Sequence, residues 1–169
     1  HARRDCARRA ATELGVPFDQ TRFFDLPDQR FDTLPFLEVV KTIESALSIL
    51  RYPDLVYSHH EGDLNRDHAI TARAVKTAFR PLRRATSIRA FEVLSSTEWG
   101  RGFAPTLFVS VNDVVWEAKV RALREYGSEI PEMGSARSIA AVNSLALMRG
   151  AAIGAHTRAE AFDAVREIR

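Results

Sequence analysis

A chain of 169 residues, of which 46% are hydrophobic and 27% are charged, has the size and composition of one globular domain with a sizeable core. Its formal net charge of +2 does not demand a nucleic-acid partner, and its single cysteine, Cys6, excludes an intrachain disulfide and a multi-cysteine zinc site. Because no apolar run could cross a bilayer and no signal-peptide pattern is present, we expect a cytoplasmic protein without a transmembrane segment.

The chain opens on a predicted helix. Residues 3–14 place alanine and leucine side chains along one face, and Gly15 follows as a C-terminal cap. The opposite face carries four arginines, which are Arg3, Arg4, Arg8 and Arg9. Such a cluster could bind phosphate in a nucleic-acid-binding module, but it is more often the solvated face of a helix, so we rank this function last.

The next segments predict two strands on either side of a helix. Thr21–Leu26 is short, aromatic and β-prone, and predicts a strand. Thr33 supplies an N-cap oxygen for a helix whose apolar face continues to Leu50. Pro53 ends that helix region, and the apolar run Leu55–Ser58 predicts a buried parallel strand.

The rest of the chain continues the alternation. The predicted elements are, in order, a helix over Ala69–Phe79, strands over Ile88–Leu94 and Thr106–Val111, and helices over Asp113–Gly127, Ala136–Arg149 and Thr157–Ile168. The last helix is predicted because Thr157 and Glu160 have the spacing of a capping box.

Strands that alternate with helices imply right-handed crossovers between neighbouring strands. The sequence therefore predicts a single α/β domain over residues 1–169, Rossmann-like and three-layered, with a mostly parallel sheet and helices on both faces. Ligands in such sheets bind beyond the carboxyl ends of the strands, and residues 59–68 follow one of these ends directly.

The segment Tyr57–His68, called the histidine segment below, concentrates three of the five histidines together with three acids and an amide. Imidazole and carboxylate groups can bind a divalent metal or orient a metal ligand, and the candidates are His60, Asp63, Asp67 and His68. Asn65 could donate a hydrogen bond to a substrate. The alternative is that Asp63 and Asp67 are turn and N-cap residues and that the histidines are exposed loop residues.

Residues 53–68, which read PDLVYSHHEGDLNRDH, resemble the second signature of the PIG-L/LmbE family. Members of this family are zinc-dependent deacetylases that remove acetyl groups from N-acetylglucosamine-type sugars. Further stretches look like the family in the expected order: Arg3–Val16, Phe24–Asp28, Ser96–Trp99, Lys119–Glu129, Arg149–Gly150 and Ala159–Phe162.

The resemblance implies a role for each polar residue of the segment. His68 would be the zinc ligand, and Asp67 the carboxylate that supports it at the catalytic centre. Asn65 stands where many members have a histidine, so His60 would take over the catalytic work of that histidine. Asp63 and Asn65 would bind the sugar, although Asp63 could instead orient His60. The implied partner is a small-molecule or glycoconjugate amino sugar.

One departure concerns the family's first signature, His-Pro-Asp-Asp-Glu, which supplies further zinc ligands and the water-activating carboxylate. This sequence contains no such string. We therefore expect a chain that is N-terminally incomplete relative to the family, with deacetylase activity in the full-length form and weak metal binding without turnover by this chain alone. The alternative is a catalytically inactive member that serves as a binding or assembly domain, and self-association into a homo-oligomer is possible.

Trp99 has two open interpretations. Its indole could stack on a sugar ring, or it could pack in the core.

Overall fold

The computed structural model describes residues 2–47, 52–82, 84–127, 129–131 and 134–168. Its helices are α1 (Ala2–Glu13), α2 (Phe36–Leu47), α3 (Arg66–Ala78), α4 (Asp113–Arg124) and α5 (Ile139–Ala152). Its strands are β1 (Leu55–His59), β2 (Ser87–Phe91), β3 (Leu107–Val111) and β4 (Arg158–Arg166). The chain divides into two compact units, one of His1–Phe23 with Phe108–Glu160 and one of Phe24–Leu107 with Ala161–Arg169.

The four strands form one sheet in the order β1-β2-β4-β3. β1 and β2 are parallel, in a register that runs from Leu55 opposite Ser87 to His59 opposite Phe91. β4 is antiparallel to β2, and the register shifts between Ile88 and Arg89. The α/β class is confirmed. The predicted mostly parallel sheet is wrong, because the sheet is mixed.

The prediction of a helix over Thr157–Ile168 is wrong, since these residues supply β4. The Thr157 hydroxyl donates to the Val111 carbonyl at 2.8 Å instead of capping a helix. Ala159 and Ala161 are buried while Glu160 between them is not, which is the two-residue alternation of a strand. Pairing with β2 therefore outweighs the local capping pattern.

The predicted strand over Thr21–Leu26 is also absent from the sheet that the described residues form. A short 3-10 helix, Phe18–Gln20, precedes this segment, and residues 21–27 then form neither helix nor strand. The Phe23 ring lies under the guanidinium groups of Arg4 and Arg8, at 5.9 and 5.3 Å from its centroid. Its aromatic character thus serves packing against α1 rather than strand pairing.

The core of the second unit lies where α2 and α3 pack together. Val39, Val40 and Ala74 are at most 1% exposed there. Val75 and Phe79 pack in turn on Ile88 of β2. Both helices were predicted, although the predicted continuation of α2 to Leu50 falls outside the described residues. This packing fixes α3 on the sheet and thereby sets the position of its first turn, which carries His68.

The first unit has its own core, formed by Val111, Trp116 and Ala146. α4 begins at its predicted first residue, Asp113, and Asn112 caps it by accepting from the Val115 N–H at 2.9 Å. Among the described residues, no helix combines the length and the apolar composition that crossing a bilayer requires.

Three of the four arginines of α1 are exposed and contact acids. Arg3 pairs with Glu129 at 2.7 Å, and Arg9 pairs with Glu125 at 2.5 Å. Arg8 pairs with Asp5 on its own helix at 3.1 Å. These pairs leave less positive charge for a phosphate backbone than the sequence suggested.

Candidate functional site

The histidine segment connects β1 to α3 within the second unit. β1 ends at His59, and α3 begins at Arg66, three residues before its predicted start. Asn65 is the N-cap of α3, because its side-chain oxygen accepts the Asp67 N–H at 2.9 Å. Asp67 is therefore not the N-cap, as the alternative interpretation of the segment had it. His68 follows on the first turn of a helix held by a cap and by the core, so its backbone is fixed.

Asp63 is the most enclosed polar side chain of the segment, with 0% of its side chain exposed. One carboxylate oxygen accepts the Asn65 N–H at 2.8 Å. The other accepts the hydroxyls of Thr97 at 2.6 Å and Ser96 at 3.1 Å. Burial by itself raises the pKa of Asp63, but these hydrogen bonds and the nearby His68 outweigh it and hold the pKa below its usual value. Asp63 is thus a satisfied carboxylate.

His68 lies against this carboxylate. Its Nδ1 is 3.3 Å from the Asp63 oxygen that accepts the Asn65 N–H, and 22% of its side chain is exposed. The contact is electrostatic, because Nδ1 has no well-aligned hydrogen-bond partner in the described structure. With Nδ1 turned toward a buried carboxylate, Nε2 is the ring nitrogen left for a ligand.

His59 stacks on His68, with ring centroids 4.1 Å apart and planes inclined by 20°. Burial, followed by the neighbouring His68, lowers the pKa of His59 to about 4, and Asp63 only partly opposes this shift. His59 is therefore neutral near pH 7 and forms an uncharged wall beside His68.

His60 has quite different neighbours. Its Nε2 lies 2.8 Å from the Arg101 carbonyl oxygen, its Nδ1 lies 3.8 Å from an Asp163 oxygen, and its ring meets Phe103 edge-on. The residue is only 8% exposed. Gly62 lets the two chain segments approach, since a Cβ there would lie 1.9 Å from the same carbonyl oxygen. His60 therefore fastens the histidine segment to residues 100–103.

Asp67 and Asn65 also contact protein groups. Asp67 accepts the Phe31 N–H at 3.0 Å, which ties the start of α3 to the short 3-10 helix Phe31–Thr33. Asn65 uses its oxygen for the cap, so only its NH₂ group is left to donate. Sequence reasoning missed His59, Ser96 and Thr97 as site residues. Ser96 and Thr97 could have been predicted, because they follow β2 and the carboxyl ends of the parallel strands β1 and β2 meet at one edge of the sheet.

We tested these residues for a metal site. A catalytic zinc takes three protein ligands, and His68 with a carboxylate behind it fits one of them. In the described parts of the chain, however, no group of three or more histidine, cysteine, aspartate or glutamate side chains could hold a metal ion. The described residues therefore do not form a complete zinc site.

Comparison with known proteins gives a family match for part of the chain and a similar fold for nearly all of it. Residues 1–79 match the PIG-L family, GlcNAc-PI de-N-acetylase. The fold is similar to that of the conserved protein TT1542 from Thermus thermophilus, with a TM-score of 0.76 and 19% identity over 99% of this chain and 74% of that one. It is also similar to GalB, the 4-carboxy-2-hydroxymuconate hydratase from Pseudomonas putida KT2440, with a TM-score of 0.58 and 21% identity over 99% and 72%. Among curated proteins, none matches the sequence.

Proposed function

From the match of residues 1–79 to the PIG-L family, we propose a metal-dependent hydrolase that removes the N-acetyl group from an N-acetylglucosamine-type amino sugar or its conjugate. Zinc is the proposed cofactor, and His68 is the ligand that this chain contributes. The observation that carries the proposal is the position of His68, which is fixed on the first turn of α3 with Nδ1 held at the buried Asp63 carboxylate.

The surroundings of the other residues refine their proposed roles. Asp63 has no exposed oxygen for a sugar hydroxyl, so we propose that it positions the His68 ring. Asp67 acts beside it by tying the start of α3 to Phe31. Asn65 retains its NH₂ group for a substrate oxygen. His60 faces a carbonyl and a carboxylate of the protein, which supports a structural rather than a catalytic role.

A second candidate is a non-catalytic family member that binds an amino sugar or assembles with a partner. The observation that favours it is the lack of a three-ligand group among the described residues. We accordingly propose hydrolysis only for a form of the protein in which further ligands join His68. For these 169 residues alone we expect no turnover.

Zinc calorimetry combined with an acetate-release assay tests the proposal. We expect weak zinc binding that His68→Ala abolishes and that His156→Ala, a change at an exposed histidine, leaves intact. Zinc binding that survives His68→Ala contradicts the ligand assignment. Tight one-to-one zinc uptake or acetate release by this chain contradicts the incomplete set of zinc ligands and supports the enzyme. Sugar binding without acetate release, even when a complete ligand set is supplied, favours the binding domain.

A further inference from the structure

Trp99 is one of the most exposed large apolar residues of the described chain, with 71% of its surface accessible. It ends the short 3-10 helix Thr97–Trp99. Its indole has no hydrogen bond and no aromatic partner among the residues that the structure describes. The core-packing interpretation of Trp99 is therefore wrong, and an indole left in water forgoes the free energy of its burial.

The backbone that carries this indole is held firmly. The Trp99 N–H donates to the Ser96 carbonyl at 3.3 Å, and the Gly100 N–H donates to the Thr97 carbonyl at 3.0 Å. The Arg101 N–H donates to the Gly62 carbonyl at 2.8 Å. A Cβ on Gly100 would lie 2.0 Å from that same Gly62 oxygen, so the two segments are in direct contact. Trp99 thus stands on a fixed support rather than on a loose loop.

The same support holds the residues around His68 together. The Ser96 carbonyl accepts the Leu64 N–H at 3.4 Å as well as the Trp99 N–H, and the Ser96 and Thr97 hydroxyls both reach the Asp63 carboxylate behind His68. Leu64 is 62% exposed. The exposed indole is therefore attached, through two or three residues, to the groups that position His68.

Polar residues lie close to Trp99 along the chain. Glu98 and Arg101 are both exposed, and the Arg101 guanidinium has no carboxylate partner among the described residues. A flat apolar surface beside exposed hydrogen-bonding groups matches a pyranose ring, which offers a C–H face and a rim of hydroxyls. Since the support is rigid and tryptophan has only two side-chain torsions, little conformational entropy would be lost on binding.

We propose that Trp99 is the sugar-stacking residue of this site, and that its indole face takes the C–H face of an acetamido sugar while Arg101 donates to a hydroxyl. This inference rests on the proposed function for its substrate class. It assigns to Trp99 the selection of a pyranose over an acyclic amide.

The test is a titration with the methyl glycoside of N-acetylglucosamine, without added metal, followed by tryptophan fluorescence and saturation-transfer NMR. Only two tryptophans are present, and the other, Trp116, is 7% exposed and reports on folding. We expect Trp99→Ala to weaken binding about tenfold and Trp99→Phe to weaken it about threefold, in keeping with the size of aromatic contacts. Leu82→Ala, a change at a 73% exposed leucine, is the matched control and should leave the affinity unchanged.

Equal affinity of Trp99→Ala and the wild type, or no measurable glycoside binding by the folded wild type, overturns the inference. So does a Trp99→Ala variant that loses self-association in sedimentation while sugar binding is unchanged, because Trp99 would then contact a second copy. Trp99-dependent sugar binding without acetate release supports the stacking residue while counting against the hydrolase. Acetate release whose KM is insensitive to Trp99→Ala supports the hydrolase and overturns the stacking residue.

Discussion

His60 and His68 belong to one short segment and have the same side chain, yet their surroundings differ. His60 is 8% exposed, with Nε2 against the Arg101 carbonyl and Nδ1 toward Asp163. The His68 side chain is 22% exposed, with only Nδ1 turned toward a carboxylate. A histidine with protein groups at both nitrogens fastens a loop, whereas one with a free nitrogen and a fixed ring is prepared for a ligand. The region around His60 can therefore be called the clamp, and the region around His68 the pocket.

The largest effect is expected at the back of the pocket. Asp63→Ala leaves the Thr97 hydroxyl and the Asn65 N–H without their acceptor, and leaves the Ser96 hydroxyl only the Val93 carbonyl at 3.3 Å. We therefore expect the free energy of unfolding to fall by about 3 kcal/mol. Urea denaturation of the variant measures the loss. Asp63→Asn keeps the shape and part of the bonding, and should lose less. Equal stability of Asp63→Ala and the wild type would contradict the enclosed carboxylate.

A second variant tests the close backbone contact within the clamp. Gly62→Ala places a Cβ 1.9 Å from the Arg101 oxygen, which forces the two segments apart, and we expect a loss of about 2 kcal/mol. Gly127→Ala is the matched control, because the nearest atom to its Cβ would be the Arg124 oxygen at 3.4 Å. Thermal unfolding of both variants gives the comparison. A Gly62→Ala protein as stable as the control would mean that the segments are not in contact.

The two histidines should contribute differently to the free energy of unfolding. His60→Ala removes the hydrogen bond to Arg101 and a buried ring, so we expect it to cost about 1.5 kcal/mol in the free energy of unfolding. His68→Ala should cost less than half of that, because its ring is more exposed and lacks an aligned hydrogen bond. Chemical denaturation of the two variants side by side measures both values. A larger loss for His68→Ala would reverse the assignment of clamp and pocket.

The last pair of variants concerns the hydroxyls behind Asp63. Thr97→Val keeps the shape but removes the shorter bond, at 2.6 Å, and should destabilise by about 1 kcal/mol. Ser96→Ala removes the longer bond, at 3.1 Å, and should cost less. The urea midpoints of the two variants measure this difference. A larger loss of stability for Ser96→Ala than for Thr97→Val would show that the two bonds do not share the carboxylate as described.

Much of the fold could be predicted because the helices α2, α3 and α4 carry strong apolar periodicity. β4 could not, because Thr157 and Glu160 form a capping pattern by chance of spacing while pairing with β2 decides the structure. The predicted strand after Phe18–Gln20 was wrong for a related reason. Its aromatic residues are β-prone, but Phe23 packs under arginine side chains instead of joining a strand.

For the site, the sequence located the histidine segment but did not show which of its side chains contact the protein and which are left for a ligand. The partners of His60 and Asp63 lie in residues 96–103 and at Asp163, far along the chain. The spacing of residues within the segment therefore does not predict these contacts. The Asn65 cap was missed because Asp67 is also a good capping residue and stands two positions later. Local chemistry thus locates the site, while long-range contacts decide which side chain remains free.

The most direct test of the difference between clamp and pocket is a zinc titration followed by the ring resonances of the histidines in NMR. The described geometry predicts that zinc shifts or broadens the ring signals of His68, with weaker changes at the stacked His59, and leaves those of His60 in place. The His68→Ala variant should then show no zinc-dependent change at His59 or His60. A zinc response centred on His60, or one that persists without His68, would contradict the account.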